Sequence, residues 1–334
     1  MRKLQRGTCA VPDAPKPPSF RKMISTGSTL LDLAISSNKS PHGGLPGGII
    51  VEIFGPTGTG KTALLASIAA SAQARGGAVK FLDPESRLDK EYCRIYGVKL
   101  SAKDYDRPDL VSEMFDRIIT WEPRSRKGAI NVIAADSLAA LSTEMEMESE
   151  DKMGMKRAKE FSEGLRKTAR LIANNKWLIV ASNQERMTPK GTTTPGGKAI
   201  PYYSSLRIRI AAGFPKSKIY RERAIGSKKV KLPVGIISEA TIVKSSIDVP
   251  YRYAPIYIIF GYGIDDIRAN LQWLKEVRGT KGYEFGRKKF GPIERAIEYI
   301  ERNNLESEIR EMVVEAWGEV AKKFNTTRKP KEII

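Results

Sequence analysis

Residues 49–77 constrain this 334-residue chain more than any other stretch: IIVEIF, then GPTGTGKT, then a run whose overlap begins at Thr62, TALLASIAASAQARGG. The first is a short apolar run rich in β-branched residues and predicts a buried strand. The last, rich in alanine and leucine, predicts a helix. The octapeptide between them, Gly55 to Thr62, fits G-x-x-x-x-G-K-[ST] in the strand-to-helix setting that the pattern needs. Its glycines let successive backbone N–H groups curl around one anion, and the helix N-terminus adds partial positive charge. Gly55, Pro56, Thr57, Gly58, Thr59 and Gly60 are therefore expected to cradle the phosphates of ATP. Lys61 is expected to reach the β- and γ-phosphates, and Thr62 to ligate Mg²⁺. No part in nucleotide binding is expected of the next position, Ala63.

Further apolar runs follow at AVKFLD (78–83), NVIAAD (131–136) and WLIVASN (177–183), separated by helical patterns such as DLVSEMFDRIITWEP and a long charged stretch over roughly 151–175. Strands alternating with helices predict an α/β fold with a mainly parallel central sheet flanked by helices. After residue 200 the texture changes: SLRIRIAA, SEATIVKSSI and APIYIIFGYG read as strands joined by basic, glycine-containing turns, so this half of the sheet is expected to be partly antiparallel. The expected organisation is an extended basic, proline-rich arm over 1–22, a core over 23–268, and a small C-terminal α/β domain over 269–334.

Two carboxylates end core strands where a metal or a water could be held. Asp136 closes NVIAAD, the position of a Mg²⁺ carboxylate acting through water, which is the favoured role; it could also cap the helix started by SLAALS, and the two roles are not exclusive. Glu85, in FLDPES, stands one strand from the phosphate loop and could polarise an attacking water. Asp83 competes for that role, and spacing does not separate the two.

Lysine and arginine number 57 against 38 acidic residues, a formal net charge of +19. Such an excess points to a polyanion. From Arg207 to Lys231 there are nine basic residues and one acid, Glu222, and Lys156, Arg157 and Lys159 extend the field. These charges lack an apolar helical face to insert beside them, which favours nucleic-acid phosphates over a membrane. No run of 18 apolar residues is present, Cys9 and Cys93 are too few for a disulfide framework, and the single histidine, His42, sits in a turn. A cytoplasmic protein without membrane association is expected. QERMTPKGTTTPGGKAI (184–200) has no apolar periodicity and reads as a loop.

MISTGSTLLDLAIS, GGLPGGIIVEIFGPTGTGKT, FLDPESRLDKEYCRIYGV, NVIAADSLAAL and TTPGGKAIPYYSSLRIRI, in this order and at similar spacing, resemble the RecA recombinases of bacteria and their phages. The similarity runs from about residue 23 to about residue 263. It implies a RecA-like core and an ATP-hydrolysing, DNA-dependent enzyme that forms a helical homo-oligomeric filament on single-stranded DNA and exchanges strands with a duplex. Matched motif by motif, Glu85 falls on the catalytic carboxylate, and Gln184 on the glutamine that senses the γ-phosphate. Asp89 and Tyr92 fall where the family contacts adenine; Tyr92 by itself reads as a core aromatic. The resemblance puts Met153 and Gly154 in a first DNA-binding loop, beside Lys156 and Arg157. It puts Arg186, Met187, Lys190, Thr194, Gly196 and Gly197 in a second, with Lys198 next to it.

The chain departs from the family pattern in four places. The second loop is short and has Met187 as its apolar residue. Of two interface lysines that reach a neighbour's ATP, Lys244 is kept and Ser246 stands at the second position. The Pro-rich arm replaces a long N-terminal helix, and FNTTRKPKEII replaces an acidic tail. A second class of function is a RecA-fold regulator or helicase-like ring motor that does not recombine DNA.

Overall fold

The structure is a computed structural model that describes residues 20, 22–144, 153–188, 191–212, 217–324 and 328, with the backbone alone at 153–155, 187 and 188. The arm expected over 1–22, together with Lys190 and Lys216, lies almost wholly outside the described residues.

A ten-stranded sheet organises the chain. From one edge its strands are Gly263–Ile264, Tyr253–Ile259, Lys228–Ser245, Leu206–Ala211, Ile49–Gly55, Leu178–Gln184, Val132–Ala135, Val79–Leu82 and Tyr105–Asp106. Lys218–Ile225 pairs with the outer half of Lys228–Ser245. The strands from Leu206–Ala211 to Tyr105–Asp106 are mutually parallel, and those beyond Leu206–Ala211 pair antiparallel.

Side-chain alternation explains why the central strands are apolar throughout. Val51, Ile53, Val132, Ala134, Leu178 and Val180 enter one buried cluster with the helices Thr29–Ser36 and Lys61–Ala74. Their alternates Ile50, Ile133, Ala135, Ile179 and Ala181 enter a second cluster with Val111–Ile119 and Met153–Asn175 on the opposite face. Both faces are covered, so no polar face is left.

The first cluster continues through Leu271 and Leu274 to Ala296, Ile300, Ile309 and Val313. The helix Asp266–Arg278 packs against Tyr253–Ile259 and against Thr29–Ser36, and it crosses the boundary expected at 268/269. The C-terminal segment thus shares its apolar core with the sheet.

Register fixes the site. Gly55 lies opposite Gln184, Ala181 opposite Ala135, and Ala135 opposite Leu82. The phosphate loop, Glu85, Asp136 and Gln184 therefore emerge together at the carboxyl edge of the parallel strands, where α/β sheets bind ligands.

Candidate nucleotide site and DNA-facing loops

A cleft of about 370 Å³ opens at this edge, lined by Thr57, Lys61, Thr62, Glu85, Asp136 and Gln184 among others. The helix Lys61–Ala74 begins at Gly60, whose φ of 93° is left-handed and which supplies no side-chain cap. Its first N–H groups are left for an anion. A Cβ at Gly60 would stand 2.2 Å from Ile258 Cδ1, so glycine is required twice over. Pro56, Thr57 and Gly58 are exposed, while Thr59 is buried. The Thr59 hydroxyl donates to Pro56 O at 2.9 Å, and the Ser238 hydroxyl to Thr59 O at 2.8 Å, bracing the loop from the antiparallel half of the sheet. Ala63 borders the floor of the cleft, but it is buried and belongs to the first apolar cluster, where it anchors the helix start to the sheet.

Lys61 is buried and folds back on its own loop, donating to Gly55 O at 3.0 Å and to Pro56 O at 2.7 Å. Burial pushes its ammonium pKa down, against the pull of Asp136 and Glu85. Asp136 is 3 % exposed. Its Oδ1 accepts a short hydrogen bond from Ser182, and its Oδ2 is buried with no hydrogen-bond partner among the described residues. Burial raises its pKa, opposed by the hydroxyls of Ser182 and Thr62. A buried carboxylate oxygen left over beside a threonine hydroxyl suits a hard divalent cation held through oxygen, so these residues fit Mg²⁺.

Glu85 and Gln184 meet. Gln184 Nε2 donates to Glu85 Oε1 at 3.1 Å, and Arg87 Nε holds the other carboxylate oxygen at 2.5 Å. Asp83 is fully buried, and its oxygens accept from Arg87 N, Leu88 N and the Tyr105 hydroxyl at 3.1, 2.9 and 2.7 Å. The Asp83 carboxylate is spent on the turn that carries Glu85, whereas Glu85 lines the cleft. Arg87, a further residue lining the cleft, escaped sequence reading; its one signal was a basic residue two places after Glu85.

Tyr92 lines the cleft with its ring 4.9 Å from that of Tyr96. Asp89 is exposed and caps the helix Lys90–Tyr96, accepting from Tyr92 N at 2.7 Å. Here it positions Tyr92 rather than lining the cleft. Lys244 donates to Pro201 O and Tyr202 O at 2.7 and 3.0 Å, away from the cleft of its own chain.

The segment after Gln184 has more order than its sequence signalled. Arg186–Thr188 pairs antiparallel with Gly191–Thr193, and a short helix, Ala199–Tyr203, follows the TTPGG turn. Arg186, Gly197 and Lys198 are exposed. Thr194 and Gly196, expected among the DNA contacts, are buried; a Cβ at Gly196 would stand 2.3 Å from Ile200 Cδ1. They pack the base of the loop. Met153 and Gly154 begin the helix Met153–Asn175, with Lys156 and Arg157 partly buried one turn on. Met187 lies on the first hairpin strand, and Lys190 lies outside the described residues.

The basic run divides. Lys218, Arg221, Arg223, Lys228, Lys229 and Lys231 line an antiparallel hairpin, Lys218–Ile225 with Lys228 onward, which is exposed along most of its length. Arg207 and Arg209, counted with them from sequence, are instead committed to carboxylates. Arg207 Nε meets Glu52 Oε2 at 2.6 Å with its guanidinium 4.5 Å from the Phe54 ring, and Arg209 holds Glu185. Glu52 is fully buried, and its other oxygen accepts from Asn183 Nδ2, which also reaches Pro195 O at 3.1 Å. A charge thus sits inside the core strand because it ties the second loop to the sheet. Arg207→Met strands that charge and is expected to cost about 3 kcal/mol in urea unfolding. Adding Glu52→Gln removes the stranded charge and is expected to recover part of the loss.

No helix among the described residues is long and apolar enough to cross a membrane. A profile of the RecA N-terminal domain matches residues 18–265. Protein RecA of Thermus thermophilus is 34% identical over 312 residues, 89% of this chain and 86% of its own length. Protein RecA of Thermus aquaticus is 34% identical over 306 residues, 88% and 85% of the two chains. Protein RecA of Deinococcus radiodurans is 31% identical over 310 residues, 88% and 80%. Similarity at this level over nearly the full length, together with the phosphate loop, the parallel core and the TTPGG turn, makes the chain a member of the RecA family.

Proposed function

We propose that the protein is a DNA-dependent ATPase that assembles as a helical filament on single-stranded DNA and drives homologous pairing and strand exchange with a duplex. The observation that carries this reading is the contact between Gln184 and Glu85. Gln184, read as the residue that feels the γ-phosphate, touches Glu85, read as the carboxylate that activates water, and it runs directly into the hairpin of the second loop. A regulator or ring motor that does not recombine would not be expected to share near full-length similarity with proteins named RecA.

In this reading the glycine-rich loop and the open helix N-terminus bind the phosphates, and Lys61 turns from the loop carbonyls to the transferring phosphoryl group. Glu85 orients water and takes its proton. Arg87 and Gln184 hold that carboxylate in place. Thr62 and Asp136 would hold Mg²⁺, which when bound supplies charge neutralisation to the phosphates. Tyr92 supplies a face for adenine. The exposed hairpin Lys218–Lys231 and the residues Lys156, Arg186 and Lys198 supply phosphate contacts that position DNA without reading sequence. Lys244 serves the nucleotide of an adjoining subunit.

The test is ATP turnover with and without single-stranded DNA, beside negative-stain images with a non-hydrolysable ATP analogue. DNA-stimulated turnover and helical filaments are expected. Closed rings with no stimulation would overturn the recombinase reading. Because the hairpin contacts are ionic, affinity for DNA is also expected to fall steeply with added salt.

A further inference from the structure

Gln184 is not the only link between the nucleotide cleft and the second loop. The next residue, Glu185, makes three connections at once. Its backbone N–H donates to Gly55 O at 3.2 Å, and the same carbonyl accepts Lys61 Nζ at 3.0 Å. Its carboxylate is gripped by two donors along one edge of a guanidinium: Arg209 Nε to Oε1 at 2.8 Å and Nη2 to Oε2 at 3.0 Å. The Thr192 hydroxyl, on the returning strand of the hairpin, bonds to the same carboxylate and helps Arg209 hold its pKa down.

The side chain of Glu185 is 5 % exposed and that of Arg209 is 41 % exposed, so the pair sits at the root of the hairpin with one edge reaching solvent. A planar fork on a carboxylate fixes direction as well as distance, unlike a lysine contact. Arg209 is carried by the Leu206–Ala211 strand, which lies parallel to the phosphate-loop strand with Arg209 opposite Phe54. The clamp is therefore mounted on the sheet itself, next to the strand that ends in Gly55.

We infer that Glu185 is a positioning residue that couples the phosphate loop to the second loop, with Arg209 as the fixed post against which it works. When Lys61 leaves Gly55 O for a phosphate, that carbonyl keeps the Glu185 N–H as its remaining partner of the two. The resulting shift of the Glu185 backbone pivots on the Arg209 fork, and the carboxylate passes it to Thr192 and so to the hairpin. Gln184 reports on the cleft from the side-chain direction, and Glu185 transmits through the backbone. This inference rests on the reading of residues 185–197 as a DNA-facing loop.

The experiment uses the full chain carrying Arg209→Met, Glu185→Gln, or the exchanged pair Glu185→Arg with Arg209→Glu. Two readouts are taken. The first needs no DNA: trypsin cleavage after Arg186, an exposed residue in the hairpin, with and without a non-hydrolysable ATP analogue. In the parent chain the nucleotide is expected to slow this cut; in each single variant that protection is expected to vanish, with a smaller fall in the urea midpoint than for Arg207→Met, because the Arg209 side chain is 41 % exposed. The second is ATP turnover against the concentration of oligo-dT. The half-maximal concentration is expected to rise about ten-fold, equivalent to about 1.4 kcal/mol, while the KM for ATP at saturating DNA moves less than about two-fold. The exchanged pair, which itself adds a trypsin site at position 185, is scored on the oligo-dT midpoint, where it is expected to restore at least part of the effect, as paired residues do in a double-mutant cycle.

Single variants that keep both nucleotide protection and the oligo-dT midpoint would overturn the inference. So would a loss that tracks a fall in the urea midpoint and is not rescued by exchange, which marks a structural role alone. Nucleotide-dependent protection in a parent chain whose turnover ignores DNA would instead overturn the functional reading and leave the coupling standing.

Discussion

Lys61→Ala is expected to lower ATP turnover by about 10³-fold, the scale on which one preorganised electrostatic contact to the transition state is worth about 4 kcal/mol. The structure gives this lysine two tasks. Its ammonium is buried within reach of two loop carbonyls, Gly55 O and Pro56 O, so it is already held over the phosphate cradle. It is also the one cation contributed by the motif itself, facing the carboxylates of Asp136 and Glu85. Alanine removes the charge that would meet the phosphoryl group and releases the loop carbonyls. Lys61→Arg is expected to fail almost as badly, because a planar fork does not fit where a compact ammonium turns between two carbonyls. Turnover is measured at saturating ATP and oligo-dT, with nucleotide binding followed separately. An alanine variant within about ten-fold of the parent would mean that phosphate charge is met elsewhere.

The parts of this molecule legible in the sequence are those whose signals are local. IIVEIF and GPTGTGKT announce a strand, a cradle and a helix within one stretch, and alternation to two covered faces accounts for the uniform apolarity of the core strands. Glu52 shows the limit. A lone acid inside an apolar strand is visible, but its partner Arg207 is 155 positions away, and nothing local joins them. The same distance effect hid the commitment of Arg207 and Arg209, which read as free basic charge until the sheet brought them to Glu52 and Glu185.

The two hairpins were hidden for a different reason. Lys218–Ile225 is exposed on both faces, so KIYRERAI carries no period-two apolar pattern, and its pairing lies in backbone hydrogen bonds and exposed cross-strand contacts such as Lys229 with Glu222 and Lys231 over the Tyr220 ring. The strands Arg186–Thr188 and Gly191–Thr193 are too short for any periodicity to register. At the C-terminal end, the boundary expected at 268/269 falls inside the helix Asp266–Arg278, whose Leu271 and Leu274 lie in the main core.

Glu85→Gln is expected to leave nucleotide binding within a few-fold of the parent and to lower hydrolysis by about 10²- to 10⁴-fold, the range for loss of a positioned general base. The substitution keeps the shape of the side chain and removes its basicity. Binding is expected to survive because Glu85 makes none of the cradle's contacts; it stands across the cleft, held by Arg87 at 2.5 Å and by Gln184 at 3.1 Å. A fluorescent ATP analogue measures binding, and phosphate release measures turnover. Asp83→Asn is the matched control. The Asp83 carboxylate accepts two backbone N–H groups and the Tyr105 hydroxyl, so its replacement is expected to loosen the turn and lower the unfolding midpoint. If Asp83→Asn instead abolished hydrolysis in a stably folded protein, and Glu85→Gln turned over like the parent, the water would have to be activated from the other carboxylate. The geometry argues against that outcome: a base must have a lone pair to offer, and those of Asp83 point into the turn while Glu85 faces the cleft.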